Sequence, residues 1–246
     1  MLNVYKNIIS GTSKGEKQFA VLIDPDNVKL KDVEKITVLG VEAKVDYWFT
    51  GGSLLTNDML EQCIHVLKAN SDIPVVLFPG NYLQINRNAD AILFLSLISG
   101  RNPEMLIGKH VIAAPYLKKS GLEIIPTGYM LIESGKPSGA LYMSNSIPIP
   151  AEKEDIAVCT AIAGEMLGLK LIYLEAGSGA NTTVPPEMIS RVKENIKIPL
   201  IVGGGIKTPE RAKIIRNSGA DIVVVGNAIE KSKGLIREIA DAIHSK

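Results

Sequence analysis

Eight short apolar segments recur along the chain, and this repetition constrains the fold more than any other feature. The first four are FAVLI at 19–23, VDYWFT at 45–50, PVVLF at 74–78 and AILFL at 91–95. The second four are TGYMLI at 127–132, LIYLEA at 171–176, PLIVG at 199–203 and DIVVVG at 221–226. They are continuously apolar instead of alternating with polar residues, which is typical of strands buried on both faces of a parallel sheet.

Segments with helical periodicity separate these apolar runs. They lie at 29–39, 57–70, 152–167, 186–195, 209–218 and 234–244. Strands that alternate with helices indicate an α/β protein, and eight such units predict a closed (β/α)8 TIM-type barrel made by residues 1–246 as one domain. The connection at 79–90 is short for a full helix, so we expect a modified helix between strands 3 and 4. The segment VIAAPY after His110 is strand-like in composition.

Composition and charge exclude several classes of protein. The 246 residues carry 27 Lys and Arg against 26 Asp and Glu, a net charge of +1, which argues against a nucleic acid partner held by bulk electrostatics. No segment reaches the ~18 uncharged apolar residues of a transmembrane helix, and the N-terminal residues do not resemble a secretion signal. The two cysteines, Cys63 and Cys159, are far apart without metal-ligand spacing. We therefore expect reduced cysteines in a cytoplasmic protein.

Polar residues follow the first two apolar runs, at the end of the barrel where active sites of this architecture lie. Asp24-Pro25-Asp26 comes after the first run and Gly51-Gly52-Ser53 after the second. Two carboxylates and a hydroxyl are oxygen ligands of the kind that Mg²⁺ prefers. Both segments are also compatible with ordinary turns, because Asp, Pro and Gly are common turn residues.

The last three apolar runs are followed by glycine-rich loops. Glu175 ends the sixth run and precedes Gly177-Ser178-Gly179, which places a candidate general base beside a candidate anion site. The seventh run leads into Gly203-Gly204-Gly205, and the eighth into Gly226-Asn227. Barrels of this type commonly bind phosphate on the loops after strands 7 and 8, so the two consecutive loops predict a phosphate site.

Five of these segments together resemble one protein family. They are LIDPD at 22–26, FTGGS at 49–53, YLEAGSGA at 173–180, VGGGI at 202–206 and VVGNAIE at 224–230. In this order they resemble the geranylgeranylglyceryl phosphate synthase family, which includes the bacterial heptaprenylglyceryl phosphate synthases. The resemblance implies a Mg²⁺-dependent barrel prenyltransferase of lipid biosynthesis, which is a homo-oligomer. Such an enzyme joins sn-glycerol 1-phosphate to a polyprenyl diphosphate, forms an ether and releases diphosphate. The family's name indicates geranylgeranyl diphosphate as the expected donor.

The resemblance also implies roles for individual residues. Asp24 and Ser53 match the family's magnesium positions, and Glu175 matches its proposed base. The positions that match its glycerol phosphate site are Tyr173, Leu174, Glu175, Ala176, Gly177, Ser178, Gly179, Gly204, Gly205, Gly226 and Asn227. Two residues depart from the family pattern, since Asn27 and Lys207 stand where lysine and arginine are common. A prenyl tail needs an apolar groove, for which we expect Leu95, Leu97, Ile98, Met130 and Ile132.

Two alternatives remain open from the sequence. Another phosphate-binding barrel enzyme, such as a sugar-phosphate isomerase or an enzyme of amino-acid biosynthesis, would share the glycine-rich loops but would not require an apolar groove. A non-catalytic barrel could keep the phosphate loops alone. The presence of Asp24 and Glu175 argues against the second alternative.

Overall fold

Eight parallel strands close into a barrel in sequence order in the computed structural model, which describes residues 3–57 and 59–245. The strands are β1 Gln18–Ile23, β2 Tyr47–Thr50, β3 Val75–Leu77, β4 Ala91–Leu97, β5 Glu123–Leu131, β6 Leu171–Glu175, β7 Leu200–Gly203 and β8 Ile222–Val225. Each predicted run contributes one strand, and β8 pairs with β1. The predicted (β/α)8 barrel is therefore confirmed. Strand β5 begins ahead of its apolar run, because it pairs with β4 from Glu123 onwards.

Helices surround the barrel and connect its strands. They are α1 Val4–Ser13, α2 Leu30–Glu42, α3 Leu60–Asn70, α4 Lys109–Ser120, α5 Gly139–Ser144, α6 Glu154–Met166, α7 Pro186–Asn195, α8 Pro209–Asn217, α9 Asn227–Lys231 and α10 Leu235–His244. A 3₁₀ turn, Tyr82–Gln84, replaces a regular helix between β3 and β4, as the short connection predicted. Within the described ranges, no helix combines the length and the apolar character that crossing a membrane requires.

The strand-like segment after His110 is helical and lies within α4, so its composition was misleading. His110, Ala113 and Leu117 are buried at helical spacing, whereas Val111 and Tyr116 are exposed. Because the exposed face of α4 also carries apolar residues, the helical periodicity of this segment cannot be recognised in the sequence. A turn of π-helix, Glu104–Gly108, leads into this helix.

Two apolar layers account for the continuously apolar strands. Side chains of one strand face, such as Phe49 and Tyr173, fill the barrel interior. Those of the other face, such as Trp48 and Leu174, pack against the surrounding helices. Because both faces of most strands are buried, a polar side chain inside a strand needs a hydrogen-bond partner, as Thr127 Oγ1 in β5 has in the carbonyl of Ile125 at 2.9 Å.

Three aspartates secure the amino-terminal end of the barrel in the same way. Each lies just before an even-numbered strand, and its carboxylate accepts a hydrogen bond of 2.7–2.8 Å from a backbone N–H of the preceding strand. Its own backbone N–H donates to the carbonyl of that same residue. The pairs are Asp46 with Phe19, Asp90 with Val75, and Asp221 with Leu200. These reciprocal bonds satisfy polar groups that burial would otherwise leave without partners.

The Asp221 pair is the most deeply buried of the three and provides a test of this arrangement. Its carboxylate also lies 2.6 Å from Lys193 Nζ. We expect Asp221→Ala to lower the free energy of unfolding by about 3 kcal/mol, because it leaves a buried N–H and an ammonium without their acceptor. Asp221→Asn should cost less, since it keeps one acceptor. Urea denaturation measures both, and Asp72→Ala, at an exposed aspartate before β3, is the control that should change little.

Candidate active site

The loops at the carboxyl ends of the strands enclose a polar cavity over the mouth of the barrel. The loops after β1, β2, β6, β7 and β8, together with residues of β1, β6 and β8, contribute most of its wall. Most of the site residues that the sequence predicted line this cavity. They are Asp24, Ser53, Tyr173, Glu175, Gly177, Ser178, Gly179, Gly204, Gly205, Gly226 and Asn227. The fold therefore brings residues as far apart in sequence as Asp24 and Asn227 to one site.

Two of the predicted site residues lie away from this cavity. Leu174 and Ala176 are buried in the layer between the sheet and the helices. The reason is the alternation of side chains along β6, which turns Tyr173 and Glu175 inward and their neighbours outward. A run read as one motif in the sequence is thus divided between two sides of the strand.

Glu175 is a buried carboxylate at the end of β6. Its side chain is 5% exposed, and its Oε1 accepts a 2.6 Å hydrogen bond from the backbone N–H of Gly177. Burial raises the pKa of Glu175 to about 7, although the hydrogen bond from Gly177 works in the opposite direction. A carboxylate with this pKa can accept a proton near neutral pH, which is what a general base must do.

The loops after β7 and β8 offer backbone donors to an anion. The N–H groups of Gly204, Gly205 and Gly226 donate to no atom of the residues that the structure describes. Gly204 has a φ of +86°, and a Cβ there would stand 2.4 Å from Glu175 Oε1. Only glycine therefore permits the loop to pass so close to the carboxylate. Across the cavity, Ser178 Oγ donates a 2.8 Å hydrogen bond to Asn227 Oδ1 and links the loops after β6 and β8.

The two aspartates after β1 have different structural roles. Asp26 accepts hydrogen bonds from the backbone N–H and the hydroxyl of Thr56 and from the N–H of Asn57, so it orders the loop after β2. Asp24 lines the polar cavity, and its Oδ2 accepts a 2.7 Å bond from Asn27 Nδ2. Burial raises the pKa of Asp24.

Glu230 is a site residue that the sequence reasoning did not assign. It lines the polar cavity, and its Oε1 accepts a 3.2 Å hydrogen bond from the backbone N–H of Asp24. Burial, and then the nearby charge of Asp24, raise the pKa of Glu230. It stands in the VVGNAIE segment, but only the fold brings it beside Asp24. Lys207 also lines the cavity, so among the residues that the structure describes three carboxylates share this wall with one ammonium.

An apolar cavity adjoins the polar one, on the side of β3 and β4. It lies beside the 3₁₀ turn that stands in for a helix, and α4 forms part of its wall. Leu95 and Leu97 line it as expected from the sequence, whereas Ile98, Met130 and Ile132 do not. Met130 and Ile132 point outward from β5 into the helix-facing layer, and Leu131 lines the cavity instead. The sequence did not reveal Phe94 or Met105, which also line it.

The two cavities share part of their walls. The residues common to both are Gly52, Ser53, Phe78, Tyr129 and Ala140. Ala140 belongs to the short helix α5, which lies over the mouth of the barrel where the long connection after β5 crosses it. A molecule with an anionic head and an apolar tail can therefore occupy both cavities at once.

The glycine positions give a test of the anion site. We expect Gly226→Val to weaken binding of sn-glycerol 1-phosphate at least ~10-fold, because a Cβ there already lies 3.1 Å from the carbonyl oxygen of Leu22 and the rest of the side chain must occupy the cavity. Binding of a prenyl diphosphate should survive. Calorimetry measures both, and Gly234→Ala is the matched control, since a Cβ at Gly234 meets nothing within 4 Å. Weaker prenyl diphosphate binding with intact glycerol phosphate binding would contradict the glycerol phosphate position that the resemblance implies for Gly226. Gly204 is less suitable for this test because a substitution there displaces Glu175.

Comparison with known proteins agrees with this geometry. A geranylgeranylglyceryl phosphate synthase from Chitinophaga pinensis is 54% identical over 242 residues, which cover 98% of this chain and 96% of that protein. The crystal structure of (S)-3-O-geranylgeranylglyceryl phosphate synthase from Thermoplasma acidophilum, in complex with its substrate sn-glycerol-1-phosphate, superposes with a TM-score of 0.94 at 33% identity over the full length of both chains. Tryptophan synthase from M. tuberculosis shares only the fold, with a TM-score of 0.61 at 14% identity over 99% of each chain.

The family comparison covers nearly the whole chain. Residues 13–243 match the PcrB family, and the resemblance seen in the sequence motifs is confirmed. The chain therefore belongs to the PcrB family, together with the geranylgeranylglyceryl phosphate synthases it resembles.

Proposed function

We propose that this protein is a prenyltransferase that joins sn-glycerol 1-phosphate to a polyprenyl diphosphate, with geranylgeranyl diphosphate the first candidate. The observation that carries the proposal is that a polar and an apolar cavity share part of their walls. The polar cavity holds Glu175 and backbone N–H groups that have no acceptor among the described residues. An enzyme acting on two small polar metabolites needs only the first cavity. The names of its relatives and the substrate bound in the related crystal structure support the same reaction.

We propose a separate place in the site for each substrate. The free N–H groups of Gly204, Gly205 and Gly226 favour the phosphate of glycerol phosphate. The diphosphate would lie on the side of Asp24 and Ser53, with the prenyl tail in the apolar cavity. The glycerol hydroxyl then attacks prenyl C1, and Glu175 accepts the hydroxyl proton.

Magnesium fits the donor set near Asp24. Asp24 and Glu230 are two carboxylates whose pKa values burial raises, and Ser53 adds a hydroxyl to the same cavity wall. No cluster of three or more His, Cys, Asp or Glu suited to a metal occurs in the described part of the chain. This pattern suits Mg²⁺, which is commonly held by one or two carboxylates together with substrate phosphates. Bound there, the ion would neutralise charge on the leaving diphosphate.

Two further properties complete the proposal. We expect a homo-oligomer, because exposed apolar side chains lie on α4 and on the turn before it. They are Val111 and Tyr116 of α4 and Ile107 of the preceding π-helical turn. We also place the enzyme in the cytoplasm, which is consistent with a free Cys63 and a free Cys159.

The direct test of the reaction is an assay with sn-glycerol 1-phosphate and a series of prenyl diphosphates of increasing chain length. Mass spectrometry should detect an ether-linked prenylglyceryl phosphate, and the preferred length will show how much of the apolar cavity the tail fills. The absence of product with every donor would reject the proposal.

The role of Glu175 can be tested by its pH dependence. Because the carboxylate must be ionised to accept the proton, kcat/KM should fall as the pH drops below about 7 and reach a plateau above it. Glu175→Gln should lower kcat by ~10²–10⁴-fold with little change in KM for glycerol phosphate, and it should abolish this acid limb. Glu133→Gln, at an exposed carboxylate beyond β5, is the control. A variant that mainly raises KM would make Glu175 an anchor for a substrate hydroxyl.

The magnesium site can be tested by chelation and by substitution. A chelator should abolish transfer, and added Mg²⁺ should restore it. Asp24→Asn should lower kcat/KM by ~30-fold or more, about 2 kcal/mol of transition-state stabilisation, and raise the Mg²⁺ concentration needed for half activity. Asp26→Asn is the matched control, because Asp26 orders a loop instead of lining the cavity. Unchanged turnover in Asp24→Asn would remove this residue from the metal site.

A further inference from the structure

Aromatic rings form the wall at the junction of the two cavities. Phe78 and Tyr129 are the two aromatic residues that line both cavities, and Phe78 is the half-buried one. Tyr173, which is fully buried, lies beneath them and lines the polar cavity. We refer to Phe78, Tyr129 and Tyr173 as the junction rings.

The junction rings are packed in a fixed arrangement. Phe78 stacks on Tyr173, with ring centroids 5.2 Å apart and an angle of 5° between the planes. Tyr129 meets both rings edge to face, at 5.7 Å from Phe78 and 5.4 Å from Tyr173. Phe49 adds a fourth ring behind Phe78 at 6.4 Å. Because each ring is held by the others, the Phe78 ring can present π-electron density to the cavity without being reordered when substrate binds.

The junction is also where the reacting carbon must lie, if the proposed transfer is correct. A substrate with its diphosphate in the polar cavity and its tail in the apolar cavity has its C1 atom between them. No charged side chain among the described residues lines both cavities, since Lys207 faces only the polar one and Lys109 only the apolar one. The rings are therefore the groups available to contact C1 from the side of the apolar cavity.

The chemistry at C1 requires stabilisation of positive charge. The bond between C1 and the diphosphate oxygen breaks, and its electron pair leaves with the diphosphate. Positive charge develops on the allylic carbon until an electron pair of the glycerol hydroxyl oxygen forms the new bond, and the hydroxyl proton passes to Glu175. An aromatic face within about 6 Å attracts a cation, and more strongly where water is excluded.

From this geometry we infer that Phe78, supported by Tyr129 and Tyr173, is a catalytic residue that stabilises the allylic cation by a cation–π interaction. The inference rests on the proposed prenyl transfer and adds a group that contacts the reacting carbon. Phe78 belongs to none of the motifs that suggested the family, and its position after β3 became informative only when the barrel placed it in the wall of the cavity that holds Glu175.

Binding of a charged mimic tests the inference without turnover. A prenyl ammonium ion and the corresponding neutral prenyl alcohol have similar shape, and calorimetry in the presence of Mg²⁺ and inorganic pyrophosphate measures the affinity of each at pH 7. We expect the ammonium ion to bind more tightly to the native protein. In Phe78→Leu that preference should shrink by ~10-fold, because the apolar volume is kept and the π face is lost.

A matched substitution separates charge stabilisation from packing. Phe94 lines only the apolar cavity, where its ring packs edge to face on His110 at 4.3 Å. Phe94→Leu makes the same chemical change away from the junction and should alter the affinity for both ligands equally. Phe78→Tyr keeps the ring and should keep the preference. If Phe78→Leu does not fold, as judged by circular dichroism, Tyr129→Leu tests the second ring that lines both cavities.

Turnover gives a second readout. At saturating concentrations of both substrates, Phe78→Leu should lower kcat by ~10–30-fold. Phe19→Leu should leave kcat unchanged, because Phe19 packs in the helix-facing layer and lines neither cavity. The inference would be overturned if the native protein showed no preference for the ammonium ion. It would also be overturned if the preference persisted unchanged in Phe78→Leu. An equal loss of affinity for both ligands would overturn it as well, because Phe78 would then have a packing role only. These binding results stand whether or not the assay detects the ether product, so failure of the inference and failure of the proposed function are distinguishable.

Discussion

The return of β8 to β1 is the interaction on which the rest of the structure depends. Strands of a parallel sheet donate and accept along both edges, and an open sheet would leave the edges of β1 and β8 unpaired. Pairing of Gln18–Val21 with Ile222–Val225 removes both edges and encloses one apolar layer inside the barrel while the helices cover the other. Since neither face of the sheet meets water, polar side chains are concentrated at the two ends.

The two ends of the barrel use polar residues differently. At the amino-terminal end, Asp46, Asp90 and Asp221 each satisfy a backbone N–H of the preceding strand, so their carboxylates have partners within the protein. At the carboxyl end, Asp24, Glu175 and Glu230 line a cavity, and burial raises the pKa of each. Both groups of carboxylates accept hydrogen bonds from the protein, and they differ in what else they face. Those at the amino-terminal end stabilise the fold, whereas those that line the cavity can bind a cation or accept a proton.

The absence of a full helix between β3 and β4 shapes the substrate site. Where other strands are covered by a regular helix, the 3₁₀ turn Tyr82–Gln84 leaves the carboxyl end of β4 beside an apolar cavity. Gln84 compensates by donating to the carbonyl of Gly52 at 2.7 Å, which ties the turn to the loop after β2. The cavity therefore results from a shortened connection that is itself held in place by hydrogen bonds.

The strands, the barrel and most of the site could be predicted from the amino-acid sequence. Continuous apolar runs indicate strands that are buried on both faces, and the glycines and carboxylates just beyond them indicate the loops at the carboxyl ends. Both patterns can be recognised in the sequence because they involve residues that are neighbours along the chain. The tertiary structure alone decided which side chains meet. It turned Leu174 and Ala176 away from the cavity, placed Glu230 beside Asp24, made a helix of the strand-like residues after His110, and brought Phe78 to the junction of the two cavities. These outcomes depend on the alternation of side chains along each strand and on contacts between residues far apart in sequence, which local composition does not encode.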